Sequence, residues 1–100
     1  MDHRVSFSAQ SNRDLGQVVS FLARKNPASA QRLGDAIVDR ALALSVMPHL
    51  GPPVRDRVNV GRVIQRPWFL IYYRVDDSAR TIEVTRIWDT RQNPADFSLG

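Results

Sequence analysis

Trp68-Phe69-Leu70-Ile71-Tyr72-Tyr73-Arg74-Val75 is the stretch on which the reading of this chain turns. It is an almost unbroken run of apolar and aromatic residues. It is short for an independent helix and rich in side chains that suit a pleated surface. Such a run predicts a strand covered on both faces. A polar turn follows, Asp76-Asp77-Ser78-Ala79-Arg80, and then Thr81-Ile82-Glu83-Val84-Thr85-Arg86-Ile87-Trp88 reads as a second strand. Two extended runs joined by a short polar turn make a hairpin.

Working upstream, Val60-Gly61-Arg62-Val63-Ile64-Gln65-Arg66 reads as a further strand, broken by Pro67. The last three strands should form an antiparallel meander. Before them, Met47-Pro48-His49-Leu50-Gly51-Pro52-Pro53 excludes helix continuation and a central strand alike, because proline lacks the N–H that both require. Arg55, Asp56 and Arg57 make the remainder, up to Asn59, a polar, mobile connection.

The first half carries helical periodicity. Leu15, Val18, Val19, Leu22 and Ala23 share one helical face, with Phe21 at its edge. Ser8 or Ser11 can cap this helix, and Ser11 with Asp14 has capping-box spacing. Asn26-Pro27 ends it and starts a second helix, with Asn26 as cap and Pro27 in the first turn. That helix should run to about Val46, burying Ala30, Leu33, Ile37, Ala41 and Leu44, with Val38 and Leu42 widening the stripe. Arg24, Arg32, Asp35, Asp39 and Arg40 read as its solvated rim. A short link between amphipathic helices implies a helical hairpin. Ahead of it, Arg4-Val5-Ser6-Phe7-Ser8 alternates as a short first strand. The expectation is one α+β domain over residues 1–100, an N-terminal strand followed by an antiparallel two-helix hairpin packed on a small antiparallel sheet with a C-terminal three-strand meander.

One hundred residues can bury a core without a metal or a disulfide. The chain contains no cysteine, which excludes thiolate chemistry and Cys-ligated zinc. No run approaches the roughly 18 apolar residues of a membrane span, and Met1-Asp2-His3-Arg4 lacks a signal peptide's apolar core. A cytoplasmic protein is expected. The formal net charge is +4, and thirteen of the fourteen basic residues are arginine, Lys25 being the exception. A GC-rich genome favours arginine codons by itself. A positive surface still favours an acidic partner.

Several segments, in order, resemble one family. Phe7-Ser8 with Asp14-Leu15 looks like its entry to the first helix, and Asn26-Pro27 followed by Ala30 like its inter-helix link. Leu44 with Met47-Pro48 and Gly51 is similar to its loop. Tyr72-Tyr73-Arg74-Val75-Asp76-Asp77 and Ile82-Glu83-Val84-Thr85-Arg86-Ile87 resemble its last hairpin, and Arg91-Gln92-Asn93-Pro94-Ala95-Asp96-Phe97 its closing segment. The chain thereby resembles the RelE/ParE superfamily of type II toxin–antitoxin toxins. The resemblance implies a cognate antitoxin whose disordered, acidic C-terminal segment wraps the toxin. It also implies one of two targets. ParE-like members poison DNA gyrase, whereas RelE-like members cut messenger RNA on the ribosome. A third possibility is a relative without toxicity that serves as a binding module.

RNA cleavage through the 2′-hydroxyl needs proton donors and acceptors as well as cations. Arginine supplies charge but stays protonated. His3 and His49 fall outside the last strands, Trp88 follows Ile87 where many relatives carry histidine, and Glu83 reads as a solvent-facing strand residue. Tyr72 and Tyr73 read as packing residues. No catalytic residue and no cofactor or metal are therefore expected, and the ParE-like reading is favoured. Nucleic acid is a partner in the ribonuclease alternative alone. Target contact is expected from Arg62, Arg66, Arg74, Arg86, Trp88 and Arg91. Arg86 lies an even number of residues from Ile82, Val84 and Trp88, which places it on their face, with Asp89 or a partner's carboxylate as its counter-ion.

Overall fold

The apolar run forms the third strand of the computed structural model, which describes residues 2–99. The elements are β1 (Arg4–Phe7), α1 (Ala9–Ala23), α2 (Pro27–Leu42), β2 (Val60–Gln65), β3 (Phe69–Asp76) and β4 (Thr81–Asp89). Single 3-10 turns lie at Ala43–Ser45 and Pro94–Asp96. α2 therefore stops at Leu42, and the expected end at Val46 is reached through the first of these turns. The strands form one sheet in the order β1-β4-β3-β2. β2, β3 and β4 are the antiparallel meander, and β1 adds to the outer edge of β4 in parallel.

Each helix starts where its side chains can satisfy free backbone donors. Ser8 is the cap of α1, its Oγ accepting from the Ser11 N–H at 3.0 Å. Ser11 is not the cap. Its hydroxyl donates to the Ser8 carbonyl, and it is fully buried. Asn26 caps α2 by accepting from the Ser29 N–H, with Pro27 at the first position.

The helices cover one face of the sheet. Ile37, Ala41 and Leu44 meet Val63, Phe69, Ile71, Tyr73, Val75, Ile82, Val84 and Ile87, with Leu15, Val18 and Leu33 packed against them. Full burial of one such branched side chain contributes about 1.5–3 kcal/mol, so this layer supplies most of the fold's driving force. Phe21 and Leu42 lie outside the layer, 56% and 48% exposed, although the sequence pattern put both at the edges of the apolar stripes. The packing leaves no room above Gly61, where a Cβ would stand 2.7 Å from the Tyr73 ring.

The expectation that the decisive run is covered on both faces holds for its middle, Phe69 to Tyr73, where Leu70 alone is only partly buried. Ile71, Tyr72 and Tyr73 are buried, but Arg74 and Asp76 are exposed. Trp68 precedes the strand and is 38% exposed. The proline-rich connection lies along the outer edge of β2. The Arg62 N–H donates to the Pro52 carbonyl and the Val54 N–H to the Val60 carbonyl, and the Gly51 N–H donates to the Tyr73 hydroxyl at 3.0 Å.

Candidate functional site

The outer face of the sheet, opposite the helices, is assembled by register. Arg62 of β2, Tyr72 of β3 and Arg86 of β4 stand in one row, and Ile64, Leu70 and Trp88 form the next. On the other side Arg74 pairs with Glu83, their charged groups 4.0 Å apart and both half-exposed. Arg62, Arg66 and Arg74 are exposed.

A bulge sets the position of Arg86. Tyr72 pairs with Arg86 but Tyr73 pairs with Val84, so Thr85 is an extra residue in β4. Alternation shifts by one there. Ile82 and Val84 before the bulge and Ile87 after it face the helices. Arg86 and Trp88 are turned to the outer face, and Arg86 does not share a face with Ile82 and Val84 as simple alternation demands.

The counter-ion of Arg86 is Asp14 of α1, and neither Asp89 nor a partner's carboxylate is needed. Arg86 Nε donates to Asp14 Oδ2 at 2.8 Å, and Nη2 donates to Oδ1 at 3.3 Å. The same carboxylate accepts the Ile87 N–H at 2.9 Å. β1 ends opposite Val84, and the start of α1 takes its place beside β4. Asp14 thus satisfies a strand-edge donor that would otherwise lie buried. It is an ion-pair residue, not part of a capping box.

Arg86 also holds the C-terminal tail. Its Nη1 donates to the Ser98 carbonyl at 2.6 Å, and its guanidinium lies 5.5 Å from the Phe97 ring centre. Phe97 rests between Tyr72 and Trp88, with ring centres at 4.8 and 4.9 Å. Trp88 is therefore packed under the tail.

Both tyrosines are buried. Tyr73 points into the core beneath Gly51, and burial raises its hydroxyl pKa above the usual value against the opposing pull of the Gly51 hydrogen bond. Both histidines gather at another corner. His3 Nε2 lies 3.0 Å from one oxygen of Asp77 and His49 Nε2 lies 3.4 Å from the other. The hydrogen bond from His3, followed by the contacts of His49, holds the Asp77 carboxyl below its ordinary range.

A second concave region lies between α1 and the ends of β3 and β4. It is a groove of about 840 Å³, floored by Val18, Leu22, Leu33 and Ile87. Phe21 and Lys25 stand on one wall, Trp68 and Arg91 on the other. Arg91 is bound to Asp89 through two contacts of 3.0 and 2.7 Å and stacks 3.9 Å from the Trp68 ring centre. The hydrogen bonds from Arg91 keep the Asp89 carboxyl below its ordinary range and raise Arg91 in turn. Thus the expected contact residues divide. Arg62 and Arg74 lie on the outer face, Arg66 in the turn that follows β2, Arg86 and Trp88 under the tail, and Arg91 at the groove. Phe21, Lys25 and Trp68 were missing from the sequence-based set. The signal for Phe21 was its place at the edge of the α1 stripe.

The family model for the ParE toxin of the type II toxin–antitoxin system parDE matches residues 5–94. The chain belongs to the ParE toxin family. Solved relatives have the same fold. The toxin–antitoxin complex RelBE2 from Mycobacterium tuberculosis is 26% identical over 87% of this chain and 96% of that one, with a TM-score of 0.66. The chromosomal ParDE system of P. aeruginosa aligns at a TM-score of 0.71 with 18% identity, over 85% of this chain and 92% of that one. A mutant of the E. coli toxin RelE in the free state aligns at 0.64 with 14% identity, over 96% and 88%. No curated protein matches the chain. Among the described residues no helix is long and apolar enough to cross a membrane. Two of these solved relatives, RelBE2 and ParDE, are toxin–antitoxin systems.

Proposed function

We propose that this ParE-family toxin arrests growth by binding a protein target, DNA gyrase, through the arginines on and beside the outer face of its sheet, and that an acidic antitoxin segment silences it. The observation that carries this reading is the state of the polar groups. Among the described residues Arg62 and Arg66 are exposed with no ion-pair partner, and Arg74 makes a long contact with Glu83. Tyr72 is buried under Phe97, the Tyr73 hydroxyl is engaged by Gly51, and both histidines sit against Asp77. Cations are offered to a partner, while both tyrosines are buried and both histidines are paired with Asp77. Guanidinium groups in this setting bind carboxylates by paired hydrogen bonds.

The test is pulse labelling of new DNA and new protein immediately after induction of the toxin alone. DNA synthesis is expected to fail first. If protein synthesis stops first, ribosome-dependent RNA cleavage replaces gyrase as the target activity. If neither changes while folded protein accumulates, the chain is a binding module. Arg62→Ala with Arg74→Ala is expected to abolish growth arrest without changing the melting temperature. Full toxicity in that variant would remove the outer face from the target contact.

A further inference from the structure

Resting on the target reading above, we infer that β2 is the strand that holds the target, through Ile64 set between Arg62 and Arg66, and that the segment it holds is acidic, with an apolar side chain between two carboxylates. The cross-strand rows of the outer face run from a closed side to an open one. In one row Trp88 is 8% exposed, Leu70 is half-buried and Ile64 is 63% exposed. In the other, Arg86 is paired with Asp14, Tyr72 is buried and Arg62 is exposed. Phe97 of the tail lies over Tyr72 and Trp88. The chain therefore closes the β4 side of this face itself and leaves the β2 side open.

Arg62 and Ile64 are two positions apart in β2, so their side chains leave the same face, about 7 Å apart along the strand. Arg66 follows after the same interval, exposed at the start of the turn. Among the described residues neither arginine has an ion-pair partner. The result is an apolar step with a cation at each end.

Charge decides the occupant. A second copy of this chain, of formal net charge +4, would bring like charge to Arg62 and Arg66. The phosphates of a nucleic acid would meet the arginines and leave Ile64 in water. An acidic protein segment satisfies all three residues. Its carboxylates accept paired hydrogen bonds from the guanidinium groups, and its apolar side chain covers Ile64 and Leu70. Such a segment lies on the face and does not extend the sheet. The outer edge of β2 is already engaged, the Arg62 N–H donating to the Pro52 carbonyl and the Val54 N–H to the Val60 carbonyl. Recognition is therefore by side chains, and Ile64 supplies the part that salt does not screen.

The experiment is inhibition of supercoiling by intact, purified DNA gyrase, with the toxin titrated at low and at high salt, and light scattering of each toxin alone. Ile64→Thr keeps a β-branched side chain and with it the strand propensity. Ile64→Lys adds a cation. Val46→Thr is the control, a like change at a position after α2 that is 61% exposed. Wild type should inhibit. Ile64→Thr should require about 10-fold more protein at both salt concentrations. Ile64→Lys should require at least about 30-fold more, although it raises the positive charge. Arg62→Ala should require about 10-fold more at low salt, with a smaller deficit at high salt, and Val46→Thr should stay within about threefold of wild type. The positions changed are exposed, so melting temperatures should be unaltered. Inhibition by Ile64→Thr within about threefold of wild type overturns the inference. Inhibition by Ile64→Lys that equals or exceeds wild type also overturns it, by showing that charge alone is read. Dimerisation of wild type that Ile64→Lys abolishes overturns it in favour of a second copy. Absence of inhibition by folded wild type instead refutes the gyrase reading on which the inference rests.

Discussion

Tyr72 and Tyr73 are neighbours in β3, both buried, and they are buried by different means. Tyr73 is 1% exposed in the helix-covered core, and its hydroxyl accepts a hydrogen bond from the connection at Gly51. Tyr72 is 6% exposed on the opposite face, where its cover is Phe97 from the tail. The helical face is closed by two long elements with apolar stripes. The outer face is closed in part by a short tail, held through Phe97 and the bond from Arg86 to Ser98, and Arg74 on it is exposed. One face is a core by virtue of repeated hydrophobic spacing. The other is assembled from single contacts, and each of those can be removed.

The largest effect should come from the residue that links the two faces. Asp14→Ala leaves the Arg86 guanidinium and the Ile87 N–H without their acceptor. With the Asp14 side chain only 6% exposed, the loss should be about 3 kcal/mol. Urea denaturation checks this, and a loss below about 1 kcal/mol would mean that water replaces the carboxylate.

Phe97→Ala tests the tail as cover. It should cost about 2 kcal/mol, less than the truncation of a core phenylalanine, because Phe97 is itself half-buried. Trp88 fluorescence should shift to the red as its ring meets water. Unchanged emission would show that the tail does not shield this face.

Tyr73→Phe sharpens the comparison at the core side. Loss of the hydroxyl leaves the Gly51 N–H unsatisfied and should cost about 1 kcal/mol. Its pH signature has a definite sign. The folded-state value of Tyr73 is raised above the unfolded one, so its contribution is present below about pH 10 and is lost as pH rises through the folded value. Wild type should weaken on that alkaline limb, and the phenylalanine variant should lack this component. Equal alkaline slopes would contradict the placement of the hydroxyl.

The smallest effect belongs to the Asp89–Arg91 pair, where Arg91 is 55% exposed and solvent screens the attraction. Asp89 is depressed in the folded state, so its contribution is present above about pH 4 and fades as pH falls through the folded value. Asp89→Asn should flatten the acid limb by a few tenths of a kcal/mol, as read from melting temperatures between about pH 2 and 6.

The amino-acid sequence by itself determined the elements and their order. Periods of two and of 3.6 in hydrophobicity are local properties, and the Asn26-Pro27 and Pro67 breaks are intrinsic to the backbone. The solvent exposure of Glu83 could be read at the same level, as could the likeness to the toxin family. Only the tertiary structure decided which face Arg86 occupies, what neutralises it, and where the groove lies. One extra residue at Thr85 inverts the alternation, and a bulge is fixed by the register of the partner strand. Asp14 and Arg86 are 72 positions apart, joined because β1 is short enough for α1 to replace it beside β4. Phe21 and Trp68 face a common groove for the same reason. Docking of one element on another sets such contacts, and no local pattern encodes the distance between them.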